Sequence, residues 1–484
     1  MGKLKIVTIF LMFNAIIAAK SLNVADISDS EYVISVEHSI HVNYGCQYPI
    51  TYKFKLDNVL ENIQVLKKSG KEEFWRAMTK KNGQEFYNGI ELFRIDTSAK
   101  VAYVSASFPE NSDSLFVKFQ DGKGNPINTN YRGITKYYDN RKAVVTASID
   151  DCAPWFNPQF INCVEKFQKH KIWITMGIIT ESCDNKGTWG ALQTLLDSGY
   201  TEACAHSQTH PHAPYGNNLE YEISGCKNAI LENLDLPDMF SRNDKEYVYS
   251  WISPHGEHNQ RIDSLLAEEK FLINRLYTSG YYGISEWDNE KQIFNPVNMS
   301  IEMGNTSWES SATTRIQKLN SCFDYAYKNK GVYHFMLHPQ SVDWNKDYAP
   351  DHLEYISQRK DVWYVSMGHM YLYKLLSDHK YNQVATTEIN KSDYVKTDKF
   401  KLYPNYPNPF NNSTVLEFQI KKPQQIEMSF YNIKGQLVDK IVRSYSMSGR
   451  HKIHWNASDL PSGIYIYKLE SGNKTISRKL LLQK

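Results

Sequence analysis

Four segments near the start of the chain alternate apolar and polar residues with the period of two that is typical of β-strands. They read EYVISVEHSIHV, ITYKFKL, KVAYVSASF and SLFVKFQD, and Asn, Gly, Asp or Pro residues separate them. The DGKGNP segment after the fourth run is a strong turn signal. This pattern predicts an all-β sandwich domain over residues 21–140.

From Lys142 onward, short apolar runs alternate with helical patterns. AVVTASI, IWITMGII and TEACA read as buried strands, and the helix after the first has Phe160, Val164 and Phe167 on one face. The runs YVYSWI, GVYHFML and DVWYVS continue the alternation. This order implies parallel strands wrapped by helices, so we expect residues 141–375 to form a (β/α) barrel.

The last part of the chain returns to a β pattern after a polar stretch. Residues 376–402 show no sustained period and are interpreted as a linker. STVLEFQI, QIEMSFYNI, HKIHWN and IYIYKLE then alternate again, which predicts a second all-β sandwich domain over residues 403–484. The predicted fold is therefore multidomain, with an α/β barrel flanked by an all-β domain on each side.

The first residues carry the pattern of a secretion signal. Lys3 and Lys5 precede an apolar run from Ile6 to Ala19, which small residues end. The run is too short to favour a membrane span, so residues 1–20 are predicted to be a signal peptide. No later segment is long and apolar enough to cross a bilayer. We therefore expect an exported, soluble mature protein without a transmembrane segment.

Composition and charge narrow the function classes. A chain of 484 residues with 41% hydrophobic and 22% charged residues indicates folded domains rather than disorder. Residues 403–484 contain 12 Lys and Arg against 5 Asp and Glu, but no nucleic-acid-binding motif accompanies this basic charge. Nucleic acid is therefore not an expected partner. The seven cysteines are an odd number, so at least one thiol is unpaired within a monomer.

Residues suited to metal binding follow two of the predicted strands. Asp150 and Asp151 come directly after the first strand of the barrel, and His206 and His210 lie in the HSQTH segment after the third. The carboxyl ends of barrel strands meet at one mouth. Two neutral imidazoles and one carboxylate make a three-ligand divalent site with an open position for water. One aspartate can bind the cation while the other accepts a proton from water.

A later strand, in the segment GVYHFMLHP, adds a third histidine motif. The period of two places His334, Met336 and His338 on one face. His338 lies at the carboxyl end, before Pro339, and can reach the same mouth, whereas His334 is interpreted as a hydrogen-bonded core residue. Each motif alone is commonly a solvated loop or a chance pair. Together, each at a strand end, they favour a metal site.

The three motifs resemble those of the polysaccharide deacetylases, carbohydrate esterase family four. SIDDC resembles the T-F-D-D motif of that family, HSQTH matches its H-S/T-x-x-H motif, and FMLHP resembles its final L-H motif, in the same order. The resemblance covers about residues 141–375 and implies a distorted, incomplete barrel. It implies a general base at Asp150, metal ligands at Asp151, His206 and His210, and a general acid at His338. Zinc is the expected metal, and cobalt or nickel also suit such ligands.

The sequence departs from the family pattern at a fourth motif. ISPHG corresponds to the family segment R-x-P-x-G, with Pro254 and Gly256 in place but Ile252 where the family has the arginine that orients the base. His255 or His258 could take the place of that missing arginine, or both could be surface residues. SEWDNE only loosely resembles the acidic motif that follows, with Asp288 as a partner, and Cys152 stands where a glycine is usual. The residues weakly indicated for substrate binding are Pro254, His255 and Trp287.

The tail resembles the type A sorting domain of type IX secretion. The segments YPNPFN and SGIYIYKL carry this resemblance. It implies transit through the periplasm of a Gram-negative bacterium, carriage across the outer membrane by the type IX machinery, and surface attachment or release. The alternative from the residues alone is a carbohydrate-binding β module with Trp455 or Tyr465 as its platform.

Two functions follow from these patterns. The first is a secreted metal-dependent hydrolase that removes N-acetyl or O-acetyl groups from a polysaccharide. The second is a non-catalytic glycan-binding protein on a degenerate deacetylase scaffold, which Ile252 and the two flanking β-domains suggest. The sequence leaves open whether the N-terminal β-domain binds a glycan or only packs against the barrel.

Overall fold

The computed structural model describes residues 28–484 with gaps. The residues outside the description in that range are 60, 71, 73, 82–88, 111, 153–156, 184–185, 217, 243, 279–283, 286–299, 305–311, 339–347, 380, 387–399, 421–423, 446–448 and 472–473. The predicted signal peptide, Trp287, Asp288, Pro339 and part of the predicted linker lie outside the described residues. The chain divides into two compact units, Met1–Thr387 and Glu388–Lys484.

Two five-stranded antiparallel sheets form the N-terminal part of the first unit. The first sheet has the order β1 (Ser28–Asp29), β9 (Thr129–Ile134), β3 (Ile50–Leu56), β7 (Val101–Ala106) and β6 (Leu92–Asp96). The second has the order β21 (Asn382–Thr386), β2 (Glu31–Val36), β8 (Ser114–Gln120), β4 (Gln64–Ser69) and β5 (Arg76–Ala77). Burial alternates strictly along β8, as the period of two in its sequence predicts.

One segment predicted as a strand is a helix. The second half of EYVISVEHSIHV forms α1 (His38–Tyr44), which ends at Gly45 with a φ of 70°. His41 and Tyr44 are its buried residues, and their spacing of three places them on one face of a helix. The apolar positions in this stretch fit both periods, and the left-handed glycine explains why the chain turns there.

The second sheet takes its edge strand from far along the chain. Strand β21, inside the segment interpreted as a linker, pairs antiparallel with β2, and Asn382 lies opposite Val36. Asn382 is fully buried and donates from Nδ2 to the hydroxyl of Tyr52 at 2.8 Å. This strand is not predicted by the sequence pattern, because NQVAT lacks apolar alternation. The first unit therefore extends beyond the last helix of the α/β part.

A curled, largely parallel sheet forms the rest of the first unit. Its order is β17 (Ile284–Ser285), β19 (Val332–Leu337), β10 (Ala143–Cys152), β11 (Ile174–Ile178), β12 (Thr201–Ala205), β15 (Ser250–Ile252), β16 (Ile273–Thr278) and β18 (Ser300–Gly304), and β20 (Val362–Tyr364) also pairs with β10. Within the described part of this sheet, only β17 is antiparallel to its neighbour. Among the described strands no ladder joins β18 to β19, so the sheet is a half-barrel rather than a closed barrel.

Helices follow the strands of this half-barrel, as the alternation in the sequence predicts. They are α2 (Asn157–Lys169), α3 (Lys186–Asp197), α4 (Cys226–Asn233), α5 (Gln260–Glu268), α6 (Ala312–Lys328), α7 (Tyr348–Ile356) and α8 (Met367–Ser377), and a π-helical turn, Tyr221–Gly225, leads into α4. A short hairpin joins β13 (Ser241–Arg242) to β14 (Lys245–Glu246). The strands other than β17 run in parallel, so their carboxyl ends meet at one mouth.

The N-terminal sheets and the half-barrel share one continuous apolar core. Trp363 of β20 donates from Nε1 to the hydroxyl of Tyr48 at 3.0 Å. His369 of α8 is fully buried and stacks on Tyr48 at 4.7 Å and on Phe240 at 4.1 Å between ring centroids. The N-terminal sheets therefore pack against the half-barrel.

The second unit is all-β. A three-stranded sheet has the order β22 (Lys401–Leu402), β23 (Ser413–Ile420) and β26 (Gly449–Asn456), and a four-stranded sheet has the order β25 (Leu437–Tyr445), β24 (Gln424–Asn432), β27 (Gly463–Ser471) and β28 (Lys474–Leu482). Trp455 and Tyr465 are buried in its separate core, and Trp455 stacks on Phe430 at 4.0 Å. The suggestion that either ring is a binding platform was wrong, because neither presents a face to solvent.

Candidate metal and catalytic site

The two adjacent aspartates reach the mouth of the half-barrel through an irregularity in β10. The register between β10 and β11 shifts between Ile149 and Cys152, and Asp151 has a φ of 60°. In a regular strand two successive side chains point to opposite faces. This left-handed backbone lets both carboxylates face the same mouth, where Asp150 and Asp151 contact different partners.

His206 directly follows β12 and is held in one orientation. Its Nδ1 lies 2.8 Å from the carbonyl oxygen of Ile252, so Nδ1–H donates to that oxygen and Nε2 carries the free lone pair. Nε2 lies 3.2 Å from Oδ1 of Asp151. Metal-ligating histidines are commonly oriented in this way, by a hydrogen bond from the other ring N–H to a backbone carbonyl.

His210 completes a three-residue cluster. Its Nε2 lies 3.3 Å from the same Oδ1 of Asp151, and the ligand atoms of Asp151, His206 and His210 all lie within 4.8 Å of one another. Two ligands that are each about 2.1 Å from one cation stand about 3.0 to 3.4 Å apart at octahedral or tetrahedral angles. The two distances from Asp151, 3.2 and 3.3 Å, match this separation, and the N/N/O donor set suits a divalent cation such as zinc.

The electrostatics of the cluster suit ligands. Burial and, to a smaller extent, the neighbouring His206 lower the pKa of His210 to about 4, so the imidazole is neutral at pH 7. Burial raises the pKa of Asp151, but its neighbours His206, His338 and His210 outweigh burial and hold that pKa far below its usual value. A neutral imidazole and an ionised carboxylate are the protonation states that a cation needs.

Asp150 has a different partner. Arg275 of β16 donates from Nη2 to Oδ1 of Asp150 at 2.5 Å and also contacts Oδ2. Both side chains are buried, with 1% and 5% of their surface exposed. A buried carboxylate without a cation would be strongly disfavoured, so Arg275 holds the charge and the orientation of Asp150.

Sequence reasoning missed Arg275. In the ladder between β15 and β16, Ile252 is the direct partner of Arg275, and paired residues of parallel strands face the same side of a sheet. The guanidinium that the fourth motif lacks at Ile252 is thus supplied one strand further on. The signal in the sequence was a single arginine inside the apolar run FLINRLY, since a buried arginine requires a carboxylate partner.

The histidine strand β19 delivers one side chain to the mouth and keeps another in the core. His338 lies directly after β19 with its Nε2 3.8 Å from Oδ2 of Asp151. His334 is fully buried and contacts the hydroxyl of Ser148 at 3.2 Å. Burial and the charge of Arg275 lower its pKa well below the usual value, so His334 is a neutral core residue.

The other predicted binding residues divide in three ways. Pro254 is buried, whereas His255 is exposed beside the metal cluster, 4.4 Å from His210 and stacked on His212 at 3.7 Å between ring centroids. His258 contacts Asp263 at 3.0 Å. Neither histidine therefore takes the place of the arginine that is absent at Ile252. Trp287 lies outside the described residues.

The comparisons with solved structures return several deacetylases at low similarity. A candidate polysaccharide deacetylase of Mycobacterium smegmatis is 11% identical, with a TM-score of 0.36, over 50% of this chain and 92% of that one. The peptidoglycan deacetylase PdaC of Bacillus subtilis is 13% identical, with a TM-score of 0.30, over 52% and 98%. A family 4 acetyl xylan esterase of Clostridium thermocellum, in complex with a cobalt ion, is 12% identical, with a TM-score of 0.30, over 49% and 96%. At these values the similarity carries no functional argument, and no curated protein matches the chain.

The tail gives a match to a family model. Residues 404–483 match the secretion system C-terminal sorting domain, as YPNPFN and SGIYIYKL predict. Among the helices of the described residues, none combines the length and apolar character that a membrane span needs. The sorting-domain match indicates a secreted or cell-surface protein.

Proposed function

We propose that this protein is a secreted, metal-dependent deacetylase that hydrolyses acetyl groups of a polysaccharide. The observation that carries the proposal is the convergence at one mouth of an Asp151/His206/His210 cluster and an Asp150–Arg275 pair. A cluster of ligands beside a separately held carboxylate is the arrangement that metal-assisted hydrolysis requires.

The cation site would be made by Asp151, His206 and His210, with His206 oriented by the carbonyl of Ile252. A divalent cation held there supplies Lewis acidity toward the acetyl carbonyl. Zinc suits two imidazoles and one carboxylate best, and cobalt or nickel also fit. The three protein ligands leave room for water and substrate.

Asp150 would act as the general base. Its carboxylate accepts a proton from the attacking water, and the hydroxyl oxygen adds to the acetyl carbon. The contact with Arg275 holds this carboxylate in place beside the cluster. The aspartates thus divide the work, with Asp151 on the cation and Asp150 on the proton.

His338 would act as the general acid. Its ring faces the cluster 3.8 Å from Asp151 and is 25% exposed, so it is accessible to a substrate at the mouth. When the carbonyl carbon expels its leaving group, His338 donates a proton to the amine of an N-acetyl sugar or the alcohol of an O-acetyl sugar. Water and the acetylated sugar thereby give acetate and the free amine or alcohol.

The acetylated sugar would lie along the exposed side of the cluster. His255 stands there with its ring in solvent, and Pro254 fixes the turn that carries it. We assign Pro254 and His255 to the substrate side.

The test is acetate release. Purified protein should release acetate from at least one of acetylated chitooligosaccharides, acetylated xylan and peptidoglycan. A chelator should abolish the release, and added zinc or cobalt should restore it. The proposal fails if protein with bound metal releases acetate from no member of this panel.

A glycan-binding protein without activity is the second candidate. The main reason to consider this candidate was that Ile252 stands in place of an arginine. The contact between Arg275 and Asp150 weakens that reason. It predicts glycan affinity that Asp150→Ala leaves unchanged, with no turnover in the parent protein. The two candidates therefore differ in a single paired measurement.

The sorting-domain match supports a route as well as a reaction. We infer export into the periplasm of a Gram-negative bacterium by the signal peptide, followed by passage through the type IX machinery and release or attachment at the surface. An acetylated glycan at the cell surface or outside it would be the substrate encountered there.

A further inference from the structure

We propose that Glu222 is a positioning residue that holds the metal-binding loop, residues 206–210, in its ligating shape. Glu222 lies in the π-helical turn before α4 and is 3% exposed. The inference rests on the proposed metal site, but not on the identity of the substrate or on the reaction.

The loop needs an external support because its backbone is strained. Ser207 and His210 both have left-handed backbones, with φ values of 68° and 59°. Neither is glycine, and such conformations are uncommon for residues with a Cβ. The amide of His210 donates to Oγ of Ser207 at 2.8 Å, which closes the turn but does not tie it to the rest of the protein.

The carboxylate of Glu222 makes that tie with both of its oxygens. The amides of Gln208 and Thr209 each donate to Oε2 at 3.0 Å. The hydroxyl of Thr209 donates to Oε1 at 2.6 Å. These three bonds reach the two residues between Ser207 and His210. Hydrogen bonds to an ionised acceptor are about twice as strong as neutral ones, so the loop is fixed at its midpoint.

The other side of the loop is fixed by the strand end of β11. Thr180 donates from its amide to the carbonyl of Ser207 at 3.2 Å and from its hydroxyl to Oε1 of Gln208 at 2.5 Å. A Cβ at Gly225 would stand 2.8 Å from Nε2 of Gln208, so the π-helical turn approaches the loop as closely as a glycine allows. The loop is therefore held on one side by Thr180 after β11 and on the other by the carboxylate of Glu222 in the π-helical turn.

The consequence for the metal site follows from His210. Its imidazole extends from the residue directly after Thr209, so freeing the Thr209 amide allows the ring to leave its position 3.3 Å from Asp151. Loss of a group that orients a ligand typically lowers metal affinity about 10- to 100-fold. Glu222 is not one of the three residues of the cation site, so the effect should appear in metal binding before any chemistry.

The experiment measures Co²⁺ affinity by titration, following the visible absorption of the bound ion, with Zn²⁺ competition as a second readout. Glu222→Ala should weaken Co²⁺ binding about 10- to 100-fold and change the absorption spectrum, because His210 moves. Glu222→Gln can keep one oxygen on the two amides and its NH₂ on Thr209, so it should restore most of the affinity. Glu220→Gln, at an exposed position two residues earlier, should match the parent.

If Glu222→Ala fails to fold, Thr209→Ala removes one of the three bonds from an exposed position and should give a smaller loss of the same kind. Equal Co²⁺ affinity and an unchanged spectrum in the soluble Glu222 or Thr209 variants would overturn the role of Glu222 alone. A parent that binds neither ion would overturn both this role and the metal site. Weakened binding in a protein without acetate release would support Glu222 and reject the deacetylase.

Discussion

Arg275 occupies the position beside Asp150 from β16, directly opposite Ile252 of β15. Replacing Arg275 by isoleucine should leave a buried carboxylate without its cation, which typically costs about 3 to 5 kcal/mol. We therefore expect a lower unfolding temperature and little acetate release from Arg275→Ile. Thermal unfolding and acetate assays measure both.

Because Ile252 and Arg275 are direct partners in the β15–β16 ladder, exchanging the two residues tests whether the loss can be reversed. The double variant Ile252→Arg with Arg275→Ile returns the guanidinium to the paired position on the same side of the sheet. It should recover part of both the stability and the activity. A double variant that is no better than Arg275→Ile would show that only β16 can present the arginine to Asp150.

Asp150→Asn and Asp151→Asn should separate the two carboxylate roles. Loss of a general base typically lowers the rate about 100- to 10,000-fold, so Asp150→Asn should lose acetate release while it retains bound metal. Asp151→Asn should lose the metal itself. Metal content by elemental analysis, paired with the acetate assay, distinguishes them, and equal metal loss in both variants would reject this division.

His338→Asn should affect substrates according to their leaving groups. An amine or sugar alcohol needs a proton to depart, whereas the phenolate of an activated aryl acetate does not. We expect a large fall in kcat on acetylated glycan and a small one on the aryl ester. Similar losses on both substrates would contradict a general-acid role and favour a structural or ligand role for His338.

Acid should destabilise the first unit through its buried histidines. Burial lowers the pKa values of His352 and His369 to about 3, against about 6.5 in an unfolded chain. Their stabilising contribution is complete above pH 6.5 and is lost as the pH falls toward 3, because only the unfolded chain takes up these protons in that window. The slope is about 1.4 kcal/mol per pH unit for each histidine.

Urea unfolding at pH 7, 6 and 5 measures that slope. His369→Gln should show a flatter pH dependence than the parent, whatever its stability at pH 7. His379→Gln, at an exposed position, should follow the parent. An identical slope in His369→Gln would mean that this histidine is not held neutral by burial.

A chain that ends at Asn390 should keep its metal, its unfolding transition and its acetate release. The second unit begins at Glu388 and has its own core, so its removal leaves the first core intact. In the native host the truncated protein should remain in the periplasm. Fractionation with an antibody measures this, and normal surface display without the tail would refute its sorting role.

The convergence of Asp151, His206 and His210 could be predicted from the sequence because its parts are local. His206 and His210 sit four residues apart after one strand, and Asp151 ends another, so strand ends in an alternating α/β pattern were enough to bring them together. Arg275 could not be placed in the same way. Its pairing with Asp150 depends on which strand follows β15 and in which register, and both are set by tertiary packing rather than by periodicity.

The elements that the sequence predicted wrongly have similar causes. The stretch His38–Tyr44 carries apolar residues that suit either a strand or a helix, and contacts of His41 and Tyr44 with the core decide for the helix. Strand β21 lacks alternation because an edge strand needs backbone pairing more than apolar side chains. Glu222 was equally invisible, since its contacts reach a loop more than ten residues earlier.

The return of the chain to pair β21 with β2 determines which parts can be inherited separately. A gene fusion that replaced only residues 28–134 would leave β21 without its neighbour β2. A viable exchange of the N-terminal sheets therefore needs two crossover points, one on each side of the half-barrel. The sorting tail needs only one crossover, after Thr387. Related proteins should therefore carry the tail behind many different domains. Where they gain or lose strands β1 to β9, they should gain or lose β21 with them.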